Sequence, residues 1–196
     1  MILEGKGLDK NIYTDRKDFI IDFHKMKNQQ QLVSVRPHTR FTDFPDHRHN
    51  YVEMIYMCQG STEHLINGET KIDLKAGELL LLNQHVSHAI KKAGKEDIGV
   101  NILALPGFFD FAVRLSSEKS ELSSFLLSTF YTDRREPLYI HYKVSDLLPA
   151  QNLIENLIWS LLFEQQVDEQ ISKLTMTTLL MTISRYSEHT LREAGD

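Results

Sequence analysis

Apolar positions along this chain follow two rhythms, and the change comes near residue 105. From residue 31 to 105 they fall in short runs separated by turn residues. Tyr51 to Cys58 is rich in β-branched, aromatic and large apolar side chains, Leu79 to Leu82 is a continuous apolar run, and Ile98 to Leu105 closes the segment. Glu63-His64-Leu65-Ile66 leads through Asn67-Gly68 into Thr70 to Leu74. Asn-Gly between two such runs predicts a hairpin, because both residues tolerate the positive φ of a type I′ turn. Lys75-Ala76-Gly77-Glu78 reads as another turn. Short strands separated by turns predict a sandwich or barrel.

Beyond Pro106-Gly107 the period lengthens to that of helices. Phe108 to Leu115 reads as a short helix. Ser120 to Tyr131 reads as a better one, with Leu122, Phe125, Leu126 and Phe130 on one face. Pro137 to Tyr142 reads as an isolated strand. A helix from about Asp146 to Phe163 carries two apolar rows, Leu153-Leu157-Leu161 and Ile154-Ile158-Leu162. A second runs from about Asp168 to Tyr186, with Ile171, Leu174, Thr178 and Met181 spaced as one stripe. The short connection around Gln165 to Asp168 predicts an antiparallel helical hairpin. Residues 1–30 are polar apart from Phe19-Ile20-Ile21 and Phe23, and read as an arm or short helix. The expected organisation is an arm over 1–30, a barrel over 31–105, and a helical region with one added strand over 106–196.

Composition narrows the class without naming it. A chain of 196 residues suffices for one domain with a helical appendage. A net charge of −5 argues against a phosphate-binding surface, so this chain alone is not expected to bind DNA. Lys91-Lys92 and Arg134-Arg135 are short charge pairs that fit solvated faces. No run is long and apolar enough to span a membrane, and the start, Met1-Ile2-Leu3-Glu4-Gly5-Lys6, lacks the order of a signal peptide. Cys58 is the single cysteine, so no intrachain disulfide forms, and a cytoplasmic location is expected. Cys58 itself reads as a small buried hydrophobe.

The chemistry concentrates in His47-Arg48-His49-Asn50-Tyr51-Val52-Glu53, with Gly60 after six intervening residues and His85-Val86-Ser87-His88 further along. On one strand, His47, His49 and Glu53 all point to the same side. His88, from a later strand, makes a fourth donor. Three imidazoles and a carboxylate suit one divalent metal, zinc, nickel, manganese or iron, with one or two positions open. His85 has the wrong parity for a ligand. His24, His38, His64, His141 and His189 are scattered, and surface or core roles are their default. Tyr51, Arg36 and Asn101 join the candidate pocket by position.

The pattern His-x-His-x3-Glu-x6-Gly resembles the first motif of the cupins at every position. Gly77 to His88 resembles the second, keeping the leading Gly and the final His, while Asn83 and His85 stand where that motif has Pro and Gly, and Lys92 where it has Asn. The resemblance implies a double-stranded β-helix barrel, mainly β with added α. A cupin followed by a strand and two long helices resembles, over about residues 30–190, the N-terminal sensor half of AraC-type transcription regulators.

That resemblance implies a small polar effector in the barrel, with His47, His49, Tyr51, Glu53, His88, Arg36 and Asn101 lining the site. It implies a homodimer through residues 146–186. It further implies DNA contact through a separate helix-turn-helix domain, which is not found in a sequence ending at Asp196. On this reading the chain is a sensor and not an enzyme. The rival readings are a stand-alone metal-dependent cupin enzyme, a dioxygenase or isomerase, and a dimerisation module without ligand.

Overall fold

The structure is a computed structural model that describes residues 12–14, 19–26, 31–116, 120–130, 138–163 and 168–193, with side chains through residue 186. Three of the regions read above lie outside the described residues: the start of the arm, the segment 131–137 with Arg134 and Arg135, and the connection 164–167 between the last two helices.

Among the described residues, ten strands form two five-stranded sheets. One holds β1 (Ile20–Ile21), β3 (Phe44–His49), β8 (His88–Ile90), β5 (Ser61–Ile66) and β6 (Thr70–Lys75), in that order. The other holds β10 (Tyr139–Tyr142), β7 (Leu79–Leu82), β4 (Val52–Gln59), β9 (Ile98–Ala104) and β2 (Val33–Pro37). Pairing is antiparallel except for β1 on β3. This is the cupin-type barrel.

The predicted hairpin joins β5 to β6, with φ of 51° at Asn67 and 72° at Gly68. Gly60 is required at the β4–β5 turn. Its φ is 71°, and a Cβ there would collide with the side chain and backbone of Asp97, whose Oδ1 accepts the Ser61 amide at 3.0 Å. The strand predicted to stand alone does not. Tyr139–Tyr142 pairs with all four leucines of β7, so the second sheet recruits an edge strand from far along the chain. The leucine run is apolar throughout because its sheet is covered on both faces. Leu80 and Leu82 face the barrel interior with Ile55, Met57, Ile66 and Leu74, while Leu79 and Leu81 face the helices.

The helices lie against the outer face of that second sheet. A 3-10 turn (Pro106–Phe109) leads into α2 (Asp110–Leu115) and α3 (Glu121–Phe130); after β10 come α4 (Leu148–Phe163) and α5 (Glu169–Glu193). A four-residue α1 (Phe23–Met26) belongs to the arm. On α4 the buried stripe is Ala150, Ile154, Leu157 and Leu161; Leu153 and Ile158 are half-buried, and Leu162 is exposed. The two predicted rows thus collapse into one seam with half-covered flanks.

The expected stripe of α5 is on the wrong side. Ile171, Leu174, Thr178 and Met181 are exposed, whereas Ser172, Met176, Thr177, Leu179, Leu180 and Ile183 are buried. Both faces of this helix carry apolar residues, and packing against α4 and α2 selects the second. Asp168 caps the helix, its Oδ1 accepting the Gln170 and Ile171 amides. Gln151 on α4 links helix to barrel, accepting from the Tyr56 hydroxyl at 2.5 Å and donating to the Gly77 and Val144 carbonyls. Cys58 is exposed, not buried, near the irregularity where β4 slips register against β9.

The arm is tied to the barrel. Ile20 and Ile21 extend the first sheet beside Arg48 and His49. Phe23 is fully buried with Tyr51, Phe44 and Ile21. Asn50 fastens it, accepting the Phe23 amide at 2.9 Å and donating to Asp22 at 3.1 Å.

Candidate functional site

The His-x-His-x3-Glu run was expected on one strand. It spans two. His47 and His49 end β3 in the first sheet, and Glu53 lies on β4 in the second. The chain crosses between sheets at Asn50 and Tyr51, which brings Glu53 opposite the histidines instead of beside them. His88 on β8 pairs directly with His47 on β3. The result is a polar layer inside the barrel, between the apolar interior cluster around Ile55 and Leu80 and the aromatic cluster under the arm.

Three of the four predicted ligands converge. His49, Glu53 and His88 each offer a donor atom within 4.8 Å of the others, and all three are buried. His88 Nε2 stands 3.2 Å from Glu53 Oε2, and His49 Nε2 stands 3.7 Å from the same oxygen. His47 lies alongside, its ring centroid 4.2 Å from that of His88 and 4.6 Å from that of Phe44, outside the converging three. An open cleft of about 190 Å³, lined by Phe19, Ile20, Asp46, His47 and Arg48, meets the polar layer at His47.

The tautomers follow from the backbone. His49 Nδ1 donates to the Tyr51 carbonyl at 2.6 Å, and His47 Nδ1 donates to the Pro45 carbonyl at 2.9 Å. Burial pulls the His49 pKa down to about 4, so the ring is neutral at pH 7 and Nε2 carries a lone pair. That lone pair faces a carboxylate oxygen, and neither atom has a hydrogen-bond partner among the described residues. Burial opposes ionisation of Glu53, but the imidazoles around it, His88 first and then His49 and His47, outweigh that cost and hold the carboxyl well below its usual range. Two buried acceptors turned toward each other are satisfied by a cation. Donors about 2.1 Å from one ion lie about 3.0–3.4 Å apart, close to the spacing here. The residues therefore fit a divalent metal.

A hydrogen-bonded chain fixes the other side of Glu53. Asn101 Nδ2 donates to Glu53 Oε1 at 2.8 Å. Its Oδ1 must then accept from His38 Nδ1, 2.7 Å away. His38 is kept neutral by burial, so its Nε2 accepts from the Thr62 hydroxyl at 3.4 Å. His38 and His64, read as scattered, both belong to the site: they are buried, their rings are 5.4 Å apart, and His64 stacks on His88 at 5.8 Å. The missed signal was parity. Counting back by twos from Ile66 at the hairpin puts His64 and Thr62 on the inner face of β5.

The remaining expectations divide. Tyr51 is buried and stacks on His49 at 4.6 Å, with its ring packed under the arm. Arg36 is the cross-strand partner of Asn101, on the same face, and lies over the Tyr13 ring at 5.8 Å. His85 lies in the β7–β8 loop. That loop is held by Asn83, which is fully buried: its Oδ1 accepts the His85 and Leu138 amides, and its Nδ2 donates to Ser128. His141 pairs with Glu78 at 2.8 Å outside the polar layer, and His24 is exposed.

Known proteins place this architecture. The chain is similar to an apo variant of ToxT from Vibrio cholerae at 10% identity and a TM-score of 0.54, over 82% of this chain and 58% of that one. It is similar to unsaturated fatty acid bound ToxT from the same organism at 15% identity, TM-score 0.47, over 79% and 55% of the two chains. A cupin protein from Bacteroides fragilis matches at 28% identity, TM-score 0.31, over 37% of this chain and 63% of that chain. The chain thus spans less than two thirds of the ToxT structures, and at 10% identity the likeness to the first is one of fold. A search of curated proteins returns no match. No described helix is long and apolar enough to cross a membrane. Residues 32–166 match the AraC-like ligand binding domain, and with more than half its length so matched, the chain belongs to that family.

Proposed function

We propose that this chain is the effector-sensing and dimerisation part of a transcription regulator. A small polar molecule occupies the polar layer of the barrel and shifts the arm and the helical pair between two arrangements. Such a shift requires that the molecule bind one arrangement more tightly than the other. The observation that carries the reading is a set of buried polar atoms without hydrogen-bond partners among the described residues, His49 Nε2, Glu53 Oε2 and both nitrogens of His64 and His88, at the centre of a domain of a ligand-binding family. Unpaired atoms of this kind are rare in folded proteins and point to something that pairs them.

The arm offers the means of response. Its β1 lies against His49, and Tyr51, which stacks on His49, also packs against Phe23. A ligand that moves His49 therefore acts on the arm directly. Two copies join through the exposed stripe of α5, Ile171, Leu174 and Met181, with Trp159, Leu162 and Phe163 of α4 as further exposed apolar groups. DNA contact falls to a further domain, since a net charge of −5 does not suit a phosphate surface.

A divalent metal, when bound by His49, Glu53 and His88 with His47 beside them, would supply a Lewis-acidic anchor for an oxygen of the effector. The same convergence favours a second reading, a metal-dependent cupin enzyme. Thermal-shift screening against small polar molecules, with wild type and Glu53→Gln, tests the sensor reading. A stabilising compound that is recovered unchanged, and whose effect is lost with Glu53→Gln, supports it. Turnover of that compound supports the enzyme, and stabilisation insensitive to Glu53 removes the barrel as the site.

A further inference from the structure

Five histidines meet inside the barrel, and their hydrogen bonding is uneven. His38, His47 and His49 each have Nδ1 bonded to the protein. Among the described residues, His64 has neither nitrogen bonded and His88 has no hydrogen-bond partner at Nδ1. Both rings are fully buried. They sit on neighbouring strands, where pairing sets Ile66 opposite His88 and His64 opposite Ile90, and they lie parallel to within 8° with centroids 5.8 Å apart. Leaving a buried nitrogen unpaired is costly, and His64 carries two.

The protonation of these rings decides what would complement them. With an ion on His88 Nε2, the proton of that ring stays on Nδ1, which becomes a donor. His64, a neutral buried imidazole, has one N–H to offer. His88 then offers a donor at Nδ1, and His64, stacked on that ring, offers a second. The ion's two positive charges, set against the single charge of Glu53, leave one positive charge uncompensated among fully buried groups. An uncompensated buried charge is strongly unfavourable, so the completing group is an acceptor that carries negative charge.

We propose that His64 and the Nδ1 of His88 form an oxyanion subsite that takes a carboxylate of the effector, beside the ion held by His49, Glu53 and His88. This rests on the barrel being the effector site and on its holding a metal, and it narrows the effector to a small carboxylate. His64 lies outside the cupin His-x-His-x3-Glu and final-His positions, and hydrogen-bonding the ligand is a role distinct from holding the ion.

The test uses the whole chain, Co²⁺ as the ion and acetate as the probe, read in two steps. Co²⁺ is titrated first by its visible absorption. Wild type and His64→Phe are expected to bind it alike. Acetate is added next. It is expected to shift the Co²⁺ spectrum of wild type, and His64→Phe is expected to need about tenfold more acetate or beyond, the loss of one charge-assisted hydrogen bond. His64→Gln, which keeps a side-chain donor, is expected to recover most of the affinity. Equal acetate titrations in wild type and His64→Phe overturn the subsite. So does an absent acetate response in wild type, or a His64-dependent response to glycerol, a neutral polyol, in its place. Failure of wild type to bind Co²⁺ strikes the metal reading, and the subsite with it, at the first step before acetate is present. Should His64→Phe fail to fold, the ring ¹⁵N resonances of His64 in Zn²⁺-loaded wild type decide: a shift on adding acetate supports the subsite, and unmoved resonances overturn it.

Discussion

Asn101 holds Glu53 by one oxygen and leaves the other to the histidines. The amide donates to Oε1 at 2.8 Å, while Oε2 faces His88 at 3.2 Å and His49 at 3.7 Å. Asn101 is itself held by His38, so the carboxylate is aimed by a residue of β9 and by the residue that follows β2, as well as by its own strand. Groups that orient a metal-binding carboxylate matter for affinity although they never touch the ion.

Asn101→Leu is therefore expected to weaken divalent-ion binding about 10–100-fold, the range for losing an orienting partner. Zn²⁺ titration by calorimetry measures it. His38→Asn, which can keep a donor toward Asn101, is expected to lose less than His38→Phe. Unchanged affinity in Asn101→Leu would show that Glu53 needs no such support.

The buried histidines make stability fall in acid. Burial lowers the pKa of His49 to about 4, and lowers those of His38, His47 and His64 as well. An unfolded histidine takes up a proton near pH 6.5, while the folded one resists until its depressed value. Between these limits the unfolded state binds more protons, so stability drops as pH falls from about 6.5 toward 4. His49 alone accounts for about 3 kcal/mol over that window. Urea denaturation of chelator-treated protein at pH 7, 5.5 and 4.5 checks the slope. Flat stability across the range would mean that these rings take up protons in the fold as readily as in the unfolded chain.

Asn50→Ala is expected to loosen the arm without unfolding the barrel. It removes the acceptor for the Phe23 amide and the donor to Asp22, a loss of about 1–2 kcal/mol. Hydrogen exchange of the Ile21 and Phe23 amides reads it: protection should fall there and persist on β4 and β9. Protection lost evenly across all strands would show that the arm and barrel open together.

Sedimentation equilibrium on wild type and an Ile171→Glu, Leu174→Glu double variant tests the assembly. Both residues are more than half exposed, at 57% and 53%, so the charges should leave the fold intact and yield a monomer. Wild type is expected to be a dimer, and a monomeric wild type at high micromolar concentration would end the proposal. Leu157→Glu is a different experiment. Leu157 is fully buried within the chain, and a charge there is expected to unfold it.

Much of the barrel was legible locally. Asn67-Gly68 marked its hairpin, the leucine run marked a covered strand, and His49, Glu53 and His88 stood in a spacing that pointed to one centre. Turn chemistry and short-range periodicity are properties of neighbouring residues, so a linear reading recovers them. The faces of the long helices were less accessible. On α5, Ile171-Leu174-Met181 and Met176-Leu179-Ile183 are both fair apolar stripes, and the helix presents whichever one its partners cover.

By itself, then, the sequence determined the strand and helix periods, the turns, and the residues with metal-binding chemistry. Only the tertiary structure decided that the His-x-His-x3-Glu run crosses between sheets, that β10 completes the edge beside β7, and that His38 and His64 share the interior with Glu53 and Asn101. These relations join residues tens of positions apart. Strand register and sheet closure set them, and register depends on burying both sheets at once, a condition no single stretch of chain contains.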